Sequence, residues 1–490
     1  MESLVVDQLN FFRLGKSLKS RFNLHFPDFE VHPSPDIYSR WTEYEKQLLA
    51  LLRENSLRLE FIQPDIRIAL KNVETKMQES LHGDALRALG AISRQAFVGP
   101  KRLLIDPVID CNLDCIYCSL HSKLQKDSKE RYLKRTGLQE KSHLDYTLLK
   151  KKIEEAAKLK VEQICVVGGG EPTVYPHFLD LVKLVKSYGM HLNFSTNGLK
   201  LEEDFNKVLV DSDVNRITIS VSGTCESSYK IIHPSQPAGT YTRLREKILD
   251  LNLKKERARI ARDGKTAMVV DVLHVVHAYN YKDMLRMVID AKELHADRVW
   301  FQLLHMEDFS KFLRLRPEQF EEARFYLQEA HQLGSKLGIE VADYMDLQVE
   351  HSRPDGTWAK GIFDRYGCLV SYMISFLDIC GAFSFCCSDK LLAKIEEIHL
   401  PDFWFSPFYQ DMRDVALDFN RENNRSTYYG KKLLDYSCDN CNNHNFQSEM
   451  VELLQYFELL PFLKGRFEQS LSSFETRGRE LASGQPLRFS

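Results

Sequence analysis

Apolar positions along the chain change their period more than once. Up to about residue 100, stretches such as SRWTEYEKQLLALLRENSLRL and VETKMQESLHGDALRALGAISRQAF place apolar side chains three and four residues apart, the spacing of one helix face. From residue 101 the pattern turns to short apolar runs: RLLIDPVI, QICVVGGG, HLNFSTNG, RITISVSG, AMVVDVLHVV and RVWFQLLH. Amphipathic stretches such as DYTLLKKKIEEAAKLK, HFLDLVKLVKSYG and YKDMLRMVIDAKELHA lie between most of them. Strand and helix in alternation predict an α/β chain with a parallel sheet, and six such units predict an open or partial (β/α)6 barrel. In parallel barrels the loops that follow the strands form the active face. The ends of the first four runs are therefore where chemistry is expected.

After the loop HSRPDGTWAKG at residues 351–361 the character shifts again. The segment CLVSYMISFLDICGAFSFCC, 368–387, is long enough to cross a bilayer, but it holds Asp378, three serines and Gly381. Its Val, Tyr, Ile and Phe residues predict two buried strands meeting at a turn instead. Residues 1–100 are thus read as a helical N-terminal region, 101–350 as the barrel, 362–450 as a small module and 451–490 as a helical tail that frays at ASGQPLRFS.

Composition narrows the function classes. At 490 residues, with about 150 residues per domain, two to four units are expected. A net charge of −3 argues against a general nucleic-acid binder, which needs clustered phosphate-neutralising cations. The basic run KLQKDSKERYLKR, 123–135, reads as a solvated helix face. The first 22 residues carry Glu2 and Asp7 and no continuous apolar core, so they do not read as a secretory signal; a cytoplasmic chain without a membrane partner is expected. In a reducing compartment the eleven cysteines point to metal or catalytic roles rather than a disulfide framework.

Three of them, Cys111, Cys115 and Cys118, fall within eight positions in VIDCNLDCIYCSL. Three thiolates can hold three irons of a cubane cluster whose full complement is four, leaving one iron open. A structural zinc site wants four ligands, and His121 is the only local candidate for the fourth. Spacing favours the cluster and leaves zinc as the alternative.

Here the sequence resembles the radical SAM family, whose CxxxCxxC signature is matched by these three cysteines. The resemblance implies that the open iron binds the amino and carboxylate groups of S-adenosyl-L-methionine, and that electron transfer from the reduced 4Fe-4S cluster releases a 5′-deoxyadenosyl radical. It implies an adenine contact for Tyr117. VVGGGEP, Val166 to Pro172, matches the family's GGE element: Gly169 and Gly170 would let the backbone approach the methionine part of the cofactor, and Glu171 would accept from its ammonium. Ser195, Thr196 and Asn197 are candidates for the methionine moiety, and Ser220 and Ser222 for the ribose or carboxylate. The chain departs from the family after the fourth run. Many relatives carry an Arg there, where this chain has SSYKIIHPSQPAG, leaving Lys230, His233 and Arg243 as the nearby options.

Further along, Cys368 and Cys386 frame the expected hairpin, with Gly381 between them, and Cys438 and Cys441 form a CxxC pair. A hairpin brings its ends together, so the four thiols are expected to converge. From the thiols alone, zinc and iron are equally open. The pattern resembles the shortened SPASM module called twitch, which implies one auxiliary 4Fe-4S cluster acting as electron relay or pocket wall. Cys380 and Cys387 beside these ligands are candidate hydrogen-atom donors. Two enzymatic readings follow from the resemblance: hydrogen abstraction from a peptide, leading to epimerisation or crosslinking, or dehydrogenation of a sugar or aminocyclitol alcohol with the auxiliary cluster as electron acceptor. Each implies a flavodoxin- or ferredoxin-type electron donor. The helical N-terminal region favours the peptide, as a grip on a leader. A reading of another class is a zinc-binding interaction protein.

Overall fold

A computed structural model describes residues 73, 75–76, 82–93, 96–125, 142–305, 308–343, 345–350, 358–359, 363, 366–386, 391–393, 399–417, 427–428, 431–432, 438, 441, 443–461 and 463. Most of the expected N-terminal helical region, the basic run beyond residue 125, Cys387 and the end of the tail lie outside these residues.

Helix α1 (His82–Ser93) precedes the sheet. Seven strands then run parallel in chain order: β1 (Arg102–Ile105), β2 (Gln163–Val166), β3 (His191–Thr196), β4 (Arg216–Ser220), β5 (Val269–Val276), β6 (Arg298–Leu303) and β7 (Glu340–Asp343). The crossovers are α2 (Tyr146–Lys158), α3 (Phe178–Ser187), α4 (Glu203–Asp211), α5 (Glu226–Ile232) with α6 (Thr240–Ala261), α7 (Met284–Glu293) and α8 (Pro317–Leu337), and α9 (Met345–Glu350) follows β7. Asp145 starts α2 by accepting from the Leu148 amide at 2.8 Å, satisfying a donor the first turn leaves free. All six expected strands are present. The additional β7, in GIEVADY, carries two acidic residues among four and gave no apolar run.

The segment 368–387 does not form a long helix. A 3-10 turn at Val370–Tyr372 leads into β8 (Ile374–Leu377), which pairs with β9 (Phe383–Ser384) as an antiparallel hairpin. Gly381 turns it at φ +79, and a Cβ there would overlap Leu148 of α2. Strand β8 also pairs in parallel with β1, Ile105 opposite Leu377, and β10 (Leu391–Ala393) pairs with β9 at the outer edge. The sheet order is therefore β10-β9-β8-β1-β2-β3-β4-β5-β6-β7. Helices α10 (Leu400–Trp404) and α11 (Pro407–Leu417) follow, then the pair β11 (Thr427–Tyr428) and β12 (Lys431–Lys432), and finally α12 (His444–Tyr456). Among the described residues no helix is long and apolar enough to cross a membrane.

Parallel strands covered on both faces read as continuous apolar runs, whereas these alternate. Ile164, Phe194, Ile219, Val272 and Phe301 face the helices and are buried. The registered positions on the other face carry Cys165, Ser195, Thr218, Asp271 and Arg298. The concave face is thus polar, and Ser195 is solvent-exposed although it lies on an interior strand. Asp271, 0% exposed, is neutralised there by Arg298, whose Nε and Nη2 donate to it at 2.7 and 2.9 Å, with Arg216 at 3.7 Å. Removing one partner of a buried ion pair costs about 3–5 kcal/mol, whereas replacing the pair by apolar residues is often neutral. Asp271→Ala is accordingly expected to lower the unfolding free energy measured by urea titration by that amount, and Asp271→Leu with Arg298→Met to recover most of it. A double variant no more stable than Asp271→Ala would remove the pairing account.

Candidate functional site

The loop after β1 carries Cys111, Cys115 and Cys118, and three neighbouring segments hold it. From the β2 side, the Glu171 amide donates to the Asp110 carbonyl oxygen at 2.8 Å. Gly170 lies so close that a Cβ would overlap the backbone of Val108–Asp110; the space freed by this glycine is filled by the chain itself. From β3, the Asn197 side-chain amide donates to Asn112 Oδ1 at 2.7 Å. From the end of α5, the Ile232 carbonyl accepts from the Ile116 amide at 3.0 Å, the Gln236 side chain donates to the Asn112 carbonyl at 3.2 Å, and Asp114 accepts from the Ser235 hydroxyl and amide. A tight turn, Cys118 amide to Cys115 carbonyl at 2.9 Å, completes the loop.

The three thiols are half-buried and within electrostatic reach of one another. Burial pushes Cys111 up to about 11 and raises Cys115 and Cys118 as well. Such a set ionises together only with a cationic partner, which suits metal ligation. His121 engages the Gly169 carbonyl oxygen through its Nε2 at 3.1 Å. Among the described residues no three Cys, His, Asp or Glu side chains converge on a single-ion site. A cubane has no need of that, because each thiolate bonds a different iron.

Glu171 is 3% exposed and accepts four hydrogen bonds. Oε1 receives the Thr173 amide at 3.0 Å, the Thr173 hydroxyl at 2.5 Å and the Thr196 hydroxyl at 2.6 Å; Oε2 receives the Asn197 amide at 2.7 Å. The carboxylate therefore ties the GGE turn to the end of β3, leaving its remaining capacity on Oε2. Alternation along β3 separates the serine and threonine expected to act together. Ser195 faces the concave side, while Thr196 faces away and braces Glu171. Ser220 shares the Ser195 face, half-buried.

Tyr117 and Ser222 share a hydrogen bond of 2.8 Å, and burial raises the tyrosine far above its ordinary value. Ser222 sits at φ +51, a left-handed conformation that is uncommon for serine. Near Tyr117, with ring centroids 6.5 Å apart, lies His277, which periodicity gave no reason to select. Its Nδ1 accepts from the Tyr279 amide at 3.2 Å, so Nε2 carries the proton. That Nε2 is buried without a hydrogen-bond partner among the described residues, and burial lowers the imidazole to about 4. Of the three options in the stretch that departs from the family, His233 is buried against Tyr229, Lys230 is exposed and bonded to the Gln236 carbonyl, and Arg243 is exposed and bonded to Thr240. Asn112 and Asp114 had no sequence signal beyond their position among the thiols, and Ser235 and Gln236 none beyond lying in the stretch that departs from the family.

The second thiol group gathers around α11 and α12. The Cys368 amide donates to the Ala416 carbonyl at the end of α11 at 2.8 Å. Next to it, the Leu369 amide donates to Gln447 of α12 at 2.8 Å, one turn beyond His444, whose ring nitrogen meets the Cys441 carbonyl. Tyr409 of α11 lies within electrostatic reach of both Cys386 and Cys368. Cys438 is buried three residues before Cys441. Cys380, though near Cys386 in sequence, sits in the hairpin turn, its amide donating to Asp378 at 2.9 Å. Because β8 runs parallel to β1, this turn lies at the strand end that also carries the Cys111–Cys118 loop, whereas Cys368 precedes β8. Cys387 lies outside the described residues.

Gly170→Ala tests the bracing of the first loop without any metal. Forcing the backbone apart is expected to cost about 1–3 kcal/mol, lowering the thermal midpoint of the metal-free chain and speeding alkylation of Cys115. An unchanged midpoint and alkylation rate would mean that the turn does not position the thiols.

Comparison with known proteins agrees with this geometry. Residues 106–291 match the Radical SAM superfamily. Over 280 residues, 55% of this chain and 65% of the relative, the sequence is 25% identical to the PqqA peptide cyclase of Bradyrhizobium diazoefficiens. Over 122 residues, 25% of this chain and 30% of the relative, it is 32% identical to the tungsten-containing aldehyde ferredoxin oxidoreductase cofactor-modifying protein of Pyrococcus furiosus. The chain thus spans less than two thirds of the length of either curated relative. In fold it is similar to Streptococcus suis SuiB bound to S-adenosylmethionine, with a TM-score of 0.50 at 14% identity over 77% of this chain and 80% of that one. The match begins at Asp106, takes in the thiol loop and the GGE turn, and ends within α7, so this part of the chain is similar to the radical SAM superfamily.

Proposed function

We propose that this chain is a radical S-adenosylmethionine enzyme that abstracts a hydrogen atom from a peptide and so modifies it. The observation that carries the reading is the Cys111–Cys118 loop: three thiols braced from three sides. When bound, a four-iron cluster with one open corner and S-adenosylmethionine supply a one-electron cleavage that generates the 5′-deoxyadenosyl radical.

The chain's own residues do the holding and orienting. Cys111, Cys115 and Cys118 ligate. Tyr117, its hydroxyl held by Ser222, presents a fixed ring edge to the adenine. Gly169 and the remaining acceptor capacity of Glu171 face the methionine ammonium, while Thr196 and Asn197 keep that carboxylate in place. Ser195 and Ser220 offer hydroxyls from the concave face. Cys380, half-buried in the hairpin turn at the same strand end, is placed to return a hydrogen in an epimerisation.

Cys368, Cys386, Cys438 and Cys441 hold an auxiliary four-iron cluster in this reading. Cys368 precedes β8 and Cys386 follows the antiparallel β9, so these two lie at the end where β8 begins, on the order of 13 Å of strand away from the first loop, which favours an electron relay over a wall of the substrate pocket. A peptide substrate is supported by the relative named for a peptide cyclase, which matches just over half of this chain, and by the open polar concave face. A flavodoxin- or ferredoxin-type donor supplies the electron.

Anaerobically reconstituted protein is expected to hold about eight irons per chain and, with reductant and cofactor, to release 5′-deoxyadenosine. Cys115→Ala is expected to lose about four of those irons and all of that product. Candidate precursor peptides deuterated at the α-carbon should pass deuterium into 5′-deoxyadenosine. Transfer from an aminocyclitol alcohol and from no peptide would overturn the substrate reading. Two zincs and no iron would overturn the enzyme.

A further inference from the structure

Arg413, on α11, is 0% exposed, and its hydrogen-bond and ring partners are all neutral. The guanidinium stacks on the rings of Tyr409 at 4.1 Å and Trp404 at 4.3 Å, with Tyr372 at 5.4 Å. It donates to the carbonyl oxygens of Trp404 at 3.0 Å and Ser371 at 3.2 Å, and to the Gln410 side-chain oxygen at 3.3 Å. Burial lowers its pKa to about 10. Aromatic faces and carbonyl dipoles reduce the cost of enclosing a cation, but a buried charge normally also has a counter-charge. Its hydrogen-bond and ring partners supply none, and the carboxylate of Asp414, the next residue, attracts it through space.

Tyr409 poses a matching problem. Its ring is 0% exposed, and its hydroxyl is buried with no hydrogen-bond partner among the described residues. Leaving such a donor unsatisfied costs about 1–3 kcal/mol. The same tyrosine packs 5.8 Å from the ring of Phe385, the residue before Cys386. Cys368 is fixed to the far end of the same helix through the Ala416 carbonyl.

A buried cation whose direct partners are all neutral, and a donor without an acceptor among the described residues, thus lie on one helix, against two of the four thiols. A cluster held by four thiolates carries net negative charge and exposes sulfur acceptors. Resting on the auxiliary-cluster reading above, we propose that Arg413 and Tyr409 tune that cluster. Arg413 is its buried counter-charge, Tyr409 donates its hydroxyl proton to a sulfur, and both stabilise the reduced, more negative state. Hydrogen bonds to the sulfurs and local charge are among the levers that set such potentials. Because this cluster has no open corner, its potential rather than its coordination decides whether it can accept an electron.

The test is an EPR-monitored redox titration of the anaerobically reconstituted full chain, with Cys368→Ala/Cys386→Ala identifying the auxiliary signal. Tyr409→Phe keeps the ring and removes only the hydroxyl. It is expected to retain about eight irons while the reduced-to-oxidised ratio of the auxiliary cluster at a fixed potential falls about tenfold, a drop of about 59 mV for a one-electron couple. The first cluster's midpoint should not move, and an exchangeable-proton coupling to the auxiliary signal should vanish. Arg413→Gln should lower the potential further; if that variant does not fold, Tyr409→Phe alone decides. Eight irons with an unmoved auxiliary midpoint in Tyr409→Phe overturns this inference and leaves the cluster reading intact. A wild-type chain that loads only four irons overturns both.

Discussion

One buried carboxylate organises the active face. Glu171 collects hydrogen bonds from its own turn and from the end of β3, and its amide reaches back to the thiol-bearing loop. In a low-dielectric setting such charge-assisted bonds are stronger than neutral ones, and here they join three chain segments that are adjacent only because β1, β2 and β3 are parallel neighbours. The thiol-bearing loop is therefore held by protein contacts on three sides. Preorganisation of this kind matters where three ligands must leave a fourth position open.

The chain handles its buried charges in two ways. On the concave face Asp271 and Arg298 neutralise each other through two parallel hydrogen bonds, so that layer is complete within the barrel. On α11 the guanidinium of Arg413 is wrapped in aromatic rings and neutral acceptors, with the neighbouring carboxylate of Asp414 attracting it through space. The pairing of β8 with β1 relates this region to the active face. One thiol group follows β1, while in the other Cys368 precedes β8 and Cys386 follows the antiparallel β9, so these lie at opposite ends of the β1–β8 pair.

The strand and helix alternation was readable because each unit repeats a local period, and the thiol spacing because ligands within one loop lie close in sequence. The hairpin at 368–387 was readable from its β-formers and Gly381. Its pairing to β1 was not, since Ile105 and Leu377 are joined across most of the chain and no local pattern encodes their register. The same limit applied to the braces. Asn112, Asp114, Ser235 and Gln236 are ordinary polar residues until the end of α5 is brought onto the thiol loop.

Spacing and residue type by themselves determined what chemistry is available: three thiols in one loop, a glycine-rich turn before a glutamate, and two cysteines framing a hairpin followed by a CxxC pair. Tertiary structure decided which neighbours each of these meets. Thr196 turned out to be a brace while Ser195 faces the concave side, because alternate residues of a strand point to opposite faces. Gly170 is needed for the chain's own close approach, and Cys380 lies at the opposite end of its hairpin from Cys386. These outcomes depend on side-chain direction and on contacts between residues far apart in sequence, which arise only when the sheet closes its register.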